Sequence, residues 1–386
     1  MAANGAGKER NMIDKNSVLA VIESPKGAMT KEAEANVRRL IHQFKDRKAP
    51  VIQVVTVGKE DTGLAAGQAD IVVRKRKLSA FFKTDMDIIL KDGGFDTVYL
   101  CGAYTDVCIR STAVDAHQSN YHFHVVTDAV CGTTKQAHDC ALWNMWYLQH
   151  QSIVTTEMVL NDRENAQIPE EPKTEYVPEK SKRVQPGSLE IPTNSALILV
   201  DVQTNSTKKK LYAEGSTQES DYHRTLMNIT EFFRSQKNVP VIHVIEVHRP
   251  DLVDFGRELD GSENVHCLET ETEYFPGTAP NGQPGDYKIP KRRYSSFFAT
   301  DLELLLRGCG TKHLFIVGGM TDICVHYTSL EAIEYGYQIH VIREGCNTHT
   351  PPQQSQAVYD ELEYLQPGCT ISMKEIKGLE EEVTGK

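Results

Sequence analysis

The chain has 386 residues, about twice a typical domain, so its length predicts two domains that each bury a core. The formal net charge of −11 argues against nucleic acid as a partner. No apolar run reaches the roughly 18 residues of a membrane span, and the start of the chain lacks the apolar segment of a secretory signal, so we expect a cytoplasmic protein without a membrane partner.

The first half of the chain alternates predicted strands and helices. Short apolar runs predict strands over 18–22, 51–57, 97–100 and 121–126. Amphipathic patterns predict helices over 33–47, 84–90, after Cys108 and over 135–150, with a loop carrying the lysines near Lys75. This order predicts an α/β fold in which a doubly wound parallel sheet is covered on both faces by helices.

A linker is predicted between the two halves. From residue 161 onward, prolines recur among many charged residues, a composition typical of interdomain segments. We therefore predict a first domain over 12–160, a linker over 161–187 and a second domain over 188–386. Nine scattered cysteines, without paired Cys-x-x-Cys spacing, indicate reduced thiols rather than a disulfide framework or a zinc site.

The second domain repeats three features of the first. A strand, a glycine turn and a helix lead to Cys324 in one copy and to Cys108 in the other. Lys291 and Lys75 precede these cysteines by the same 33 residues. The first strand of each copy is followed by an acid, Asp201 in the second copy and Glu23 in the first. The chain is therefore an internal duplication that carries an acid, a lysine and a cysteine in the same order.

These residue types suit nucleophilic catalysis. A thiol at the start of a helix is favoured as thiolate, although Cys324 alone is equally well explained as a small buried apolar residue. The duplication favours the catalytic interpretation, with Asp201 as general base and acid and Lys291 as the positive charge beside the thiolate. The backbone N–H groups of Met320 and Cys324 are the candidate oxyanion hole.

The three motifs carry a family resemblance. Asp201-Val202-Gln203, Lys291 followed by Tyr294-Ser295-Ser296-Phe297, and Gly319-Met320-Thr321-Asp322-Ile323-Cys324 together resemble the isochorismatase-like cysteine hydrolases. The resemblance implies two tandem Rossmann-like domains, a cis peptide bond before Met320, no cofactor, and hydrolysis of a C–N bond. The segment His248-Arg249-Pro250-Asp251 resembles members that act on biuret and other ureido or amide compounds.

We expect a small-molecule substrate and no bound metal. The residues expected to bind the substrate are Gln203, His248, Arg249, Tyr294 and Phe297. Glu246 and His248 stand two apart, which resembles the Asp-x-His metal motif of the related nicotinamidases. The first residue is Glu rather than Asp, and His266 is a distant candidate for a third ligand, so the sequence favours a site without metal.

The first copy departs from the pattern. Glu23 carries its carboxylate one methylene further than Asp201, and Val57-Gly58-Lys59-Glu60 stands where the second copy has Val247-His248-Arg249-Pro250. The first copy also lacks an insertion over 251–285 that we expect to cover the mouth of the second site. Glu23, Lys75 and Cys108 are therefore a possible second site, which we expect to be weakened or inactive.

Two other functions remain open at this point. One is isochorismatase activity proper, a vinyl-ether hydrolysis that does not need the thiol. The other is a non-catalytic binding or regulatory module. Duplicated domains can retain the contact of an ancestral dimer, so we also predict an intrachain pseudo-dimer, with further homo-oligomers left open.

Overall fold

The structure is a computed structural model that describes residues 12–58, 63–163, 168–170, 187–204, 217–262, 266–270, 272–275 and 277–379. It divides into two compact units. The first consists of Met1–Pro172 and Gly256–Glu263, and the second of Lys173–Phe255 and Asn264–Lys386. The division at Pro172 falls inside the predicted linker, most of which lies outside the described residues. Gly256–Glu263, which belongs to the second copy in sequence, is part of the first unit.

The first unit is built on one parallel sheet. In the described residues its strand order is β3-β2-β1-β4-β5-β6. The chain reverses its winding direction between β1 and β4, and ligands of such sheets bind where strands end at this switch point. The strands are β1 (Ser17–Ile22), β2 (Val51–Thr56), β3 (Ile71–Lys75), β4 (Thr97–Ala103), β5 (His122–Cys131) and β6 (Ile153–Val154). The helices are α1 (Lys31–Asp46), α2 (Met86–Gly93), α3 (Arg110–Gln118), α4 (Lys135–Leu148) and α5 (Thr156–Leu160).

The second unit repeats this topology. Its strand order in the described residues is β11-β9-β7-β12-β13-β14, and a two-stranded antiparallel ribbon, β8-β10, is added. The strands are β7 (Ser195–Val200), β8 (Gln203–Thr204), β9 (Val241–Glu246), β10 (Glu273–Tyr274), β11 (Asp286–Lys291), β12 (His313–Gly319), β13 (Gln338–Asn347) and β14 (Thr370–Ile371). The helices are α6 (Thr217–Ser235), α7 (Leu302–Gly308), α8 (His326–Tyr335) and α9 (Pro352–Leu365).

Helix α1 shows why these segments fold as they do. The Thr30 hydroxyl accepts a hydrogen bond from the Ala33 N–H and caps the first turn. Val37, Leu40 and Phe44 recur on one face of the helix and are fully buried in the core of the first unit. Removing one such side chain, as in Leu40→Ala, costs about 2–5 kcal/mol.

The doubly wound α/β fold predicted from the sequence is confirmed, but the predicted loop around the lysines is wrong. Lys75 and Lys291 are the last residues of the edge strands β3 and β11. Edge strands alternate exposed polar residues with buried ones, and β11 contains Pro290, a residue that sheets tolerate at their edges. The charged run Arg74 to Lys77 obscured this pattern in the first copy.

Two further expectations concern the chain as a whole. Among the described helices, none combines the length and the apolar character that crossing a membrane requires. The nine cysteines all lie within the described residues, and none of them forms a disulfide bond there.

Candidate active site

Three side chains of the second unit meet at the carboxyl ends of neighbouring strands. Asp201 directly follows β7, and Lys291 is the last residue of β11. Cys324 lies in a π-helical turn, Thr321–Val325, between β12 and α8. Because the strands are parallel, their ends lie at the same edge of the sheet, which is where this fold binds ligands.

Lys291 lies between the acid and the thiol. Its Nζ is 2.9 Å from Asp201 Oδ2 and 3.5 Å from Cys324 Sγ. The same ammonium donates to the Arg293 carbonyl oxygen at 2.9 Å, so its three protons have three acceptors. The Lys291 side chain is fully buried and the Asp201 side chain nearly so. The sheet therefore brings together the acid, lysine and cysteine that the sequence singled out.

The charges around Lys291 keep it protonated. Burial alone favours the neutral amine, but the negative charges of Asp201, of the Cys324 sulfur and of Glu246 outweigh it and raise the pKa of Lys291 above its ordinary value of 10.5. A permanent positive charge 3.5 Å from Sγ favours the thiolate form of Cys324.

The backbone before Cys324 is tightly constrained. Gly318 has a φ of +127°, and a Cβ at this position would lie 1.9 Å from the Val200 carbonyl oxygen, so only glycine fits. The Gly319–Met320 peptide bond is cis, as the family resemblance implied. The Met320 carbonyl oxygen accepts hydrogen bonds from the N–H groups of Ile323 and Val325. The role of the Met320 and Cys324 N–H groups as an oxyanion hole stays a prediction.

Two of the residues expected to bind substrate are engaged with the protein itself. Gln203 is fully buried; its amide donates to the Glu246 carbonyl oxygen at 2.6 Å and accepts from the Glu246 N–H at 2.8 Å, so it joins the start of β8 to the end of β9. His248 is also fully buried. Its Nε2 lies 2.8 Å from Glu246 Oε1 and its Nδ1 lies 3.3 Å from Asp254 Oδ1.

The other three expected residues differ in exposure. Phe297 is buried and its ring stacks on those of Tyr335 and Tyr337, while Tyr294 is buried with its ring tilted against Tyr327. Arg249 follows β9, and 60% of its side chain is exposed. The substrate contacts of all five residues stay predictions, and Arg249 is the one whose charged group faces solvent.

A group that could hold a metal ion lies at the end of β9. Glu246, His248 and His266 each offer a ligand atom within 4.8 Å of the others, and His266 Nδ1 is 3.3 Å from Glu246 Oε1. One carboxylate and two imidazoles are a donor set that suits zinc and similar divalent ions. The residues present therefore fit a divalent metal.

The sequence could not place His266 in this group. It is 20 residues from Glu246, inside the insertion, and no periodic pattern links the two positions. The fold brings them together through a short parallel bridge between His248 and Leu268. The insertion thus supplies residues to this site, and the expectation of a metal-free site remains untested.

The first unit keeps part of the arrangement. Lys75 Nζ is 3.3 Å from Cys108 Sγ and 2.8 Å from the Lys77 carbonyl oxygen. The Ala103–Tyr104 peptide bond is cis, and Cys108 lies in a π-helical turn, Thr105–Ile109, like that of the second unit.

The acid and the metal donors of the first unit differ from those of the second. Glu23 Oε2 accepts a hydrogen bond from the Thr56 N–H at 2.7 Å. Thr56 pairs with Lys75 across the sheet as Glu246 pairs with Lys291, so Thr56 and Gly58 occupy the positions of Glu246 and His248. Neither of them offers a carboxylate or an imidazole. Lys59 and Glu60 lie outside the described residues.

Comparison with known proteins gives matches to both copies. The Isochorismatase domain matches residues 19–157 and 195–372. Ureidoacrylate amidohydrolase RutB of Agrobacterium fabrum is 38% identical over 201 residues, covering 46% of this chain and 86% of that protein. Maleamate amidohydrolase of Pseudomonas putida is 31% identical over 144 residues, covering 33% of this chain and 68% of that protein.

A third relative matches over a shorter stretch. The uncharacterized isochorismatase family protein YwoC of Bacillus subtilis is 40% identical over 73 residues, covering 19% of this chain. This match spans 39% of the length of YwoC, well under two thirds of it.

Proposed function

The chain belongs to the isochorismatase family, and on this premise we propose that its second copy is a cysteine hydrolase that cleaves a C–N bond of a small amide or ureido substrate. The observation that carries the proposal is the position of Lys291, 2.9 Å from Asp201 and 3.5 Å from Cys324. The names of two relatives, ureidoacrylate amidohydrolase and maleamate amidohydrolase, support the class of substrate.

The first chemical step forms a thioester. Asp201 takes the proton from Cys324 Sγ, and the thiolate attacks the carbonyl carbon of the substrate. The N–H groups of Met320 and Cys324 then donate to the oxyanion of the tetrahedral intermediate. When this intermediate collapses, the C–N bond breaks and Asp201 returns its proton to the leaving nitrogen. Ammonia or an amine leaves, and the acyl group remains on Cys324.

The second step releases the acid. A water molecule attacks the thioester carbonyl, Asp201 takes a proton from the water, and the C–S bond breaks. The proton then returns to the sulfur, so the enzyme ends as it began. Lys291 remains charged throughout; it fixes the Asp201 carboxylate and stabilises the thiolate.

Glu246, His248 and His266 are the residues that would hold a divalent ion. Such an ion would supply Lewis acidity beside the triad. Without an ion, Glu246 still has a structural role. Its Oε2 accepts a hydrogen bond from the Cys267 N–H at 3.0 Å, which joins the insertion to the end of β9. The exposed guanidinium of Arg249, next to this group, is our candidate partner for an anionic part of the substrate.

We assign turnover to the second copy and a weakened or inactive site to the first. This assignment is supported by Glu23, one of whose carboxylate oxygens is bound to the Thr56 N–H. It is also supported by Thr56 and Gly58, which stand where the second copy has Glu246 and His248. Glu23 also carries its carboxylate one methylene further from the backbone than Asp201 does, and a misplacement of that size costs about a hundredfold in rate.

A substrate screen with a matched variant tests the proposal. Purified protein and its Cys324→Ala variant are incubated with ureidoacrylate, maleamate and isochorismate, and ammonia or product release is measured. We expect ammonia from an amide or ureido compound, a thioester on Cys324 detected by intact mass after rapid quenching, and loss of both in the variant.

The alternatives give different results. Release of product from isochorismate that survives Cys324→Ala would indicate vinyl-ether hydrolysis instead. Absence of turnover and of any adduct across a wide panel of small amides would favour a non-catalytic binding module.

A further inference from the structure

The turn that carries Cys324 contains a buried carboxylate that the proposed mechanism does not use. Asp322 is fully buried and lies two residues before Cys324 in the π-helical turn Thr321–Val325. Its Oδ1 accepts a hydrogen bond from the Thr348 hydroxyl at 2.6 Å, and its Oδ2 accepts one from the Thr350 hydroxyl at 2.9 Å. Both threonines lie in the loop after β13, so the carboxylate joins the turn that follows β12 to the loop that follows β13.

The two threonines are themselves fixed. Their hydroxyl oxygens lie 3.0 Å apart, and the Thr350 N–H donates to Thr348 Oγ1 at 3.3 Å. Directly before them, Asn347 at the end of β13 pairs with Gly319 at the end of β12. Asp322 therefore binds one preformed group of donors with both of its oxygens, which fixes its orientation as well as its position.

Asp322 lies in surroundings that disfavour its charge. Burial raises the pKa of Asp322 above its ordinary value of 3.8, while the hydrogen bonds from Thr348 and Thr350 and the positive charge of His326 act in the opposite direction. His326 is itself fully buried and pairs with Glu361 of α9 at 2.8 Å. An apolar side chain in place of Asp322 would avoid the desolvation cost but could not bind the two hydroxyls. The contact with the loop is therefore what the carboxylate adds.

The first copy has the same contact in its own cysteine turn. Asp106 is 3% exposed and lies two residues before Cys108. Its Oδ1 accepts a hydrogen bond from the Thr133 N–H at 2.8 Å, and its Oδ2 accepts one from the Thr133 hydroxyl. Thr133 follows β5 as Thr348 follows β13, so the two turns are joined to corresponding loops through different donors. Two donor sets that serve one carboxylate indicate that both copies require the junction itself.

The turn that Asp322 holds also sets the position of the thiol. π-helical turns are rare in proteins, and this one leads directly into α8. Cys324 Sγ lies 3.5 Å from Lys291 Nζ, and Lys291 is fixed by its own bonds to Asp201 and Arg293. A shift of the turn by about 1 Å would move Sγ away from a lysine that is held in place, and a displacement of that size costs about a hundredfold in rate.

We propose that Asp322 is a positioning residue, which holds the Cys324 turn at the end of β12 and so keeps the thiol beside Lys291; its effect on turnover rests on the proposed function. Asp106 holds the Cys108 turn in the same way. Asp322 acts through the cysteine rather than as an acid or a base, because both of its oxygens are bound to the loop after β13.

Amide hydrogen exchange on the full chain tests this holding role without a substrate. In the second copy the Ile323 and Val325 N–H groups donate to the Met320 carbonyl oxygen, so their exchange rates report on the turn. In Asp322→Ala we expect these two amides to exchange at least about tenfold faster than in wild type. Glu303→Gln, which removes a carboxylate from the surface of α7, is the control and should leave both rates unchanged.

The first copy supplies an internal comparison. There the Val107 and Ile109 N–H groups donate to the Tyr104 carbonyl oxygen. We expect Asp322→Ala to leave these two amides unchanged, and Asp106→Ala to accelerate them while the turn of the second copy stays protected. Unchanged exchange in the turn of the mutated copy overturns the inference. Faster exchange in both turns of either variant also overturns it, because it indicates general loosening of the protein.

Milder variants cover the case in which Asp322→Ala does not fold. Thr350→Val removes one of the two hydroxyl donors at nearly constant volume, and Asp322→Asn keeps an oxygen that accepts one of them. We expect Thr350→Val to accelerate exchange of the Ile323 and Val325 amides by about threefold or more, as the loss of one hydrogen bond implies. Wild-type protection of both amides in folded Thr350→Val counts against the holding role as strongly as in Asp322→Ala.

Kinetics on the same variants distinguish this inference from the proposed function. For wild-type protein active on ureidoacrylate or maleamate, we expect Asp322→Ala to lower kcat at least about tenfold with KM within about threefold, and Asp322→Asn to recover most of the loss. A wild-type protein inactive on every amide, with faster exchange of the turn in Asp322→Ala, would end the proposed function and leave the holding role intact.

Two kinetic results would overturn the positioning role. One is an unchanged kcat in a variant whose turn exchanges faster. The other is an Asp322→Asn variant that loses as much activity as Asp322→Ala while its turn stays protected, because the charge of Asp322 would then matter rather than the position of the turn.

Discussion

The carboxylate of Glu23 accepts a hydrogen bond from the backbone N–H of Thr56 at 2.7 Å. In the second copy the matching N–H belongs to Glu246 and donates instead to the Gln203 side chain at 2.8 Å. In the second copy the neutral side-chain amide of Gln203 therefore binds the strand end, and the Asp201 carboxylate pairs with Lys291. The two acids therefore differ in their contacts: Glu23 accepts a backbone N–H of the neighbouring strand, and Asp201 pairs with the lysine that lies beside the thiol.

This difference predicts opposite effects of removing charge from the two acids. Glu23→Gln keeps an oxygen that can accept the Thr56 N–H, so we expect activity within about twofold of wild type. Asp201→Asn removes the carboxylate that we propose as general base, and we expect kcat/KM to fall on the order of 10²- to 10⁴-fold. Steady-state ammonia release measures both, and a similar loss in both variants would mean that Glu23 also acts in catalysis.

The two cysteines should differ in reactivity. Both lie beside a lysine, Cys108 at 3.3 Å and Cys324 at 3.5 Å. At Cys324 this lysine pairs with Asp201 at 2.9 Å, whereas the acid of the first copy is the longer Glu23, which accepts the Thr56 N–H. We expect a thiol-directed substrate analogue to label Cys324 and spare Cys108, and Cys108→Ala to leave turnover nearly unchanged. Peptide mapping reads out the labelling, and equal modification of both cysteines would show that the first copy is also a working site.

The metal-binding group can be tested by direct titration. We expect Co²⁺ to bind with an absorption spectrum that reports nitrogen and oxygen ligands, and Glu246→Gln to weaken binding by at least about tenfold. Glu303→Gln, on the surface of α7, is the matched control. Equal Co²⁺ affinity in wild type and Glu246→Gln would place the ion elsewhere, and no Co²⁺ binding would support the metal-free site expected from the sequence.

The raised pKa of Lys291 fixes the pH dependence of its contribution to stability. A lysine with a folded-state pKa above its unfolded value contributes fully below about 10.5 and loses that contribution only as pH rises through the higher folded value. Lys291→Met leaves the buried Asp201 carboxylate without its partner and should cost about 3–5 kcal/mol of unfolding free energy. Urea unfolding at about pH 6 and about pH 9 should give the same difference between variant and wild type. A difference that shrinks toward pH 9 would mean that the pKa of Lys291 is lowered.

The convergence of Asp201, Lys291 and Cys324 could be predicted because it follows from repetition and from strand ends. Asp201 and Cys324 follow apolar runs, and parallel strands bring their carboxyl ends together. Lys291 stands out by its equal spacing from the cysteine in both copies, whereas its place at the end of the polar edge strand β11 could not be predicted. The role of Gln203 could not be predicted, because a polar side chain beside a candidate base is read as a substrate contact until its two backbone partners at Glu246 are seen. The positions of His266 and of Gly256–Glu263 depend on how an irregular insertion folds, which no period in the sequence encodes.

The membership of Gly256–Glu263 in the first unit has a consequence for how the protein is made. Gly256 follows Pro172 by 84 residues, so the end of helix α4 leaves the ribosome well before the segment that covers it. Ser262, whose N–H binds the Tyr147 carbonyl oxygen, follows Tyr147 by 115 residues, so at synthesis rates of about 5–20 residues per second this carbonyl group lacks that partner for roughly 6 to 23 seconds. Until then the C-terminal end of helix α4 is uncovered in the nascent first unit. A chain terminated before Gly256 should therefore depend more on chaperones than its complete α/β sheet would suggest.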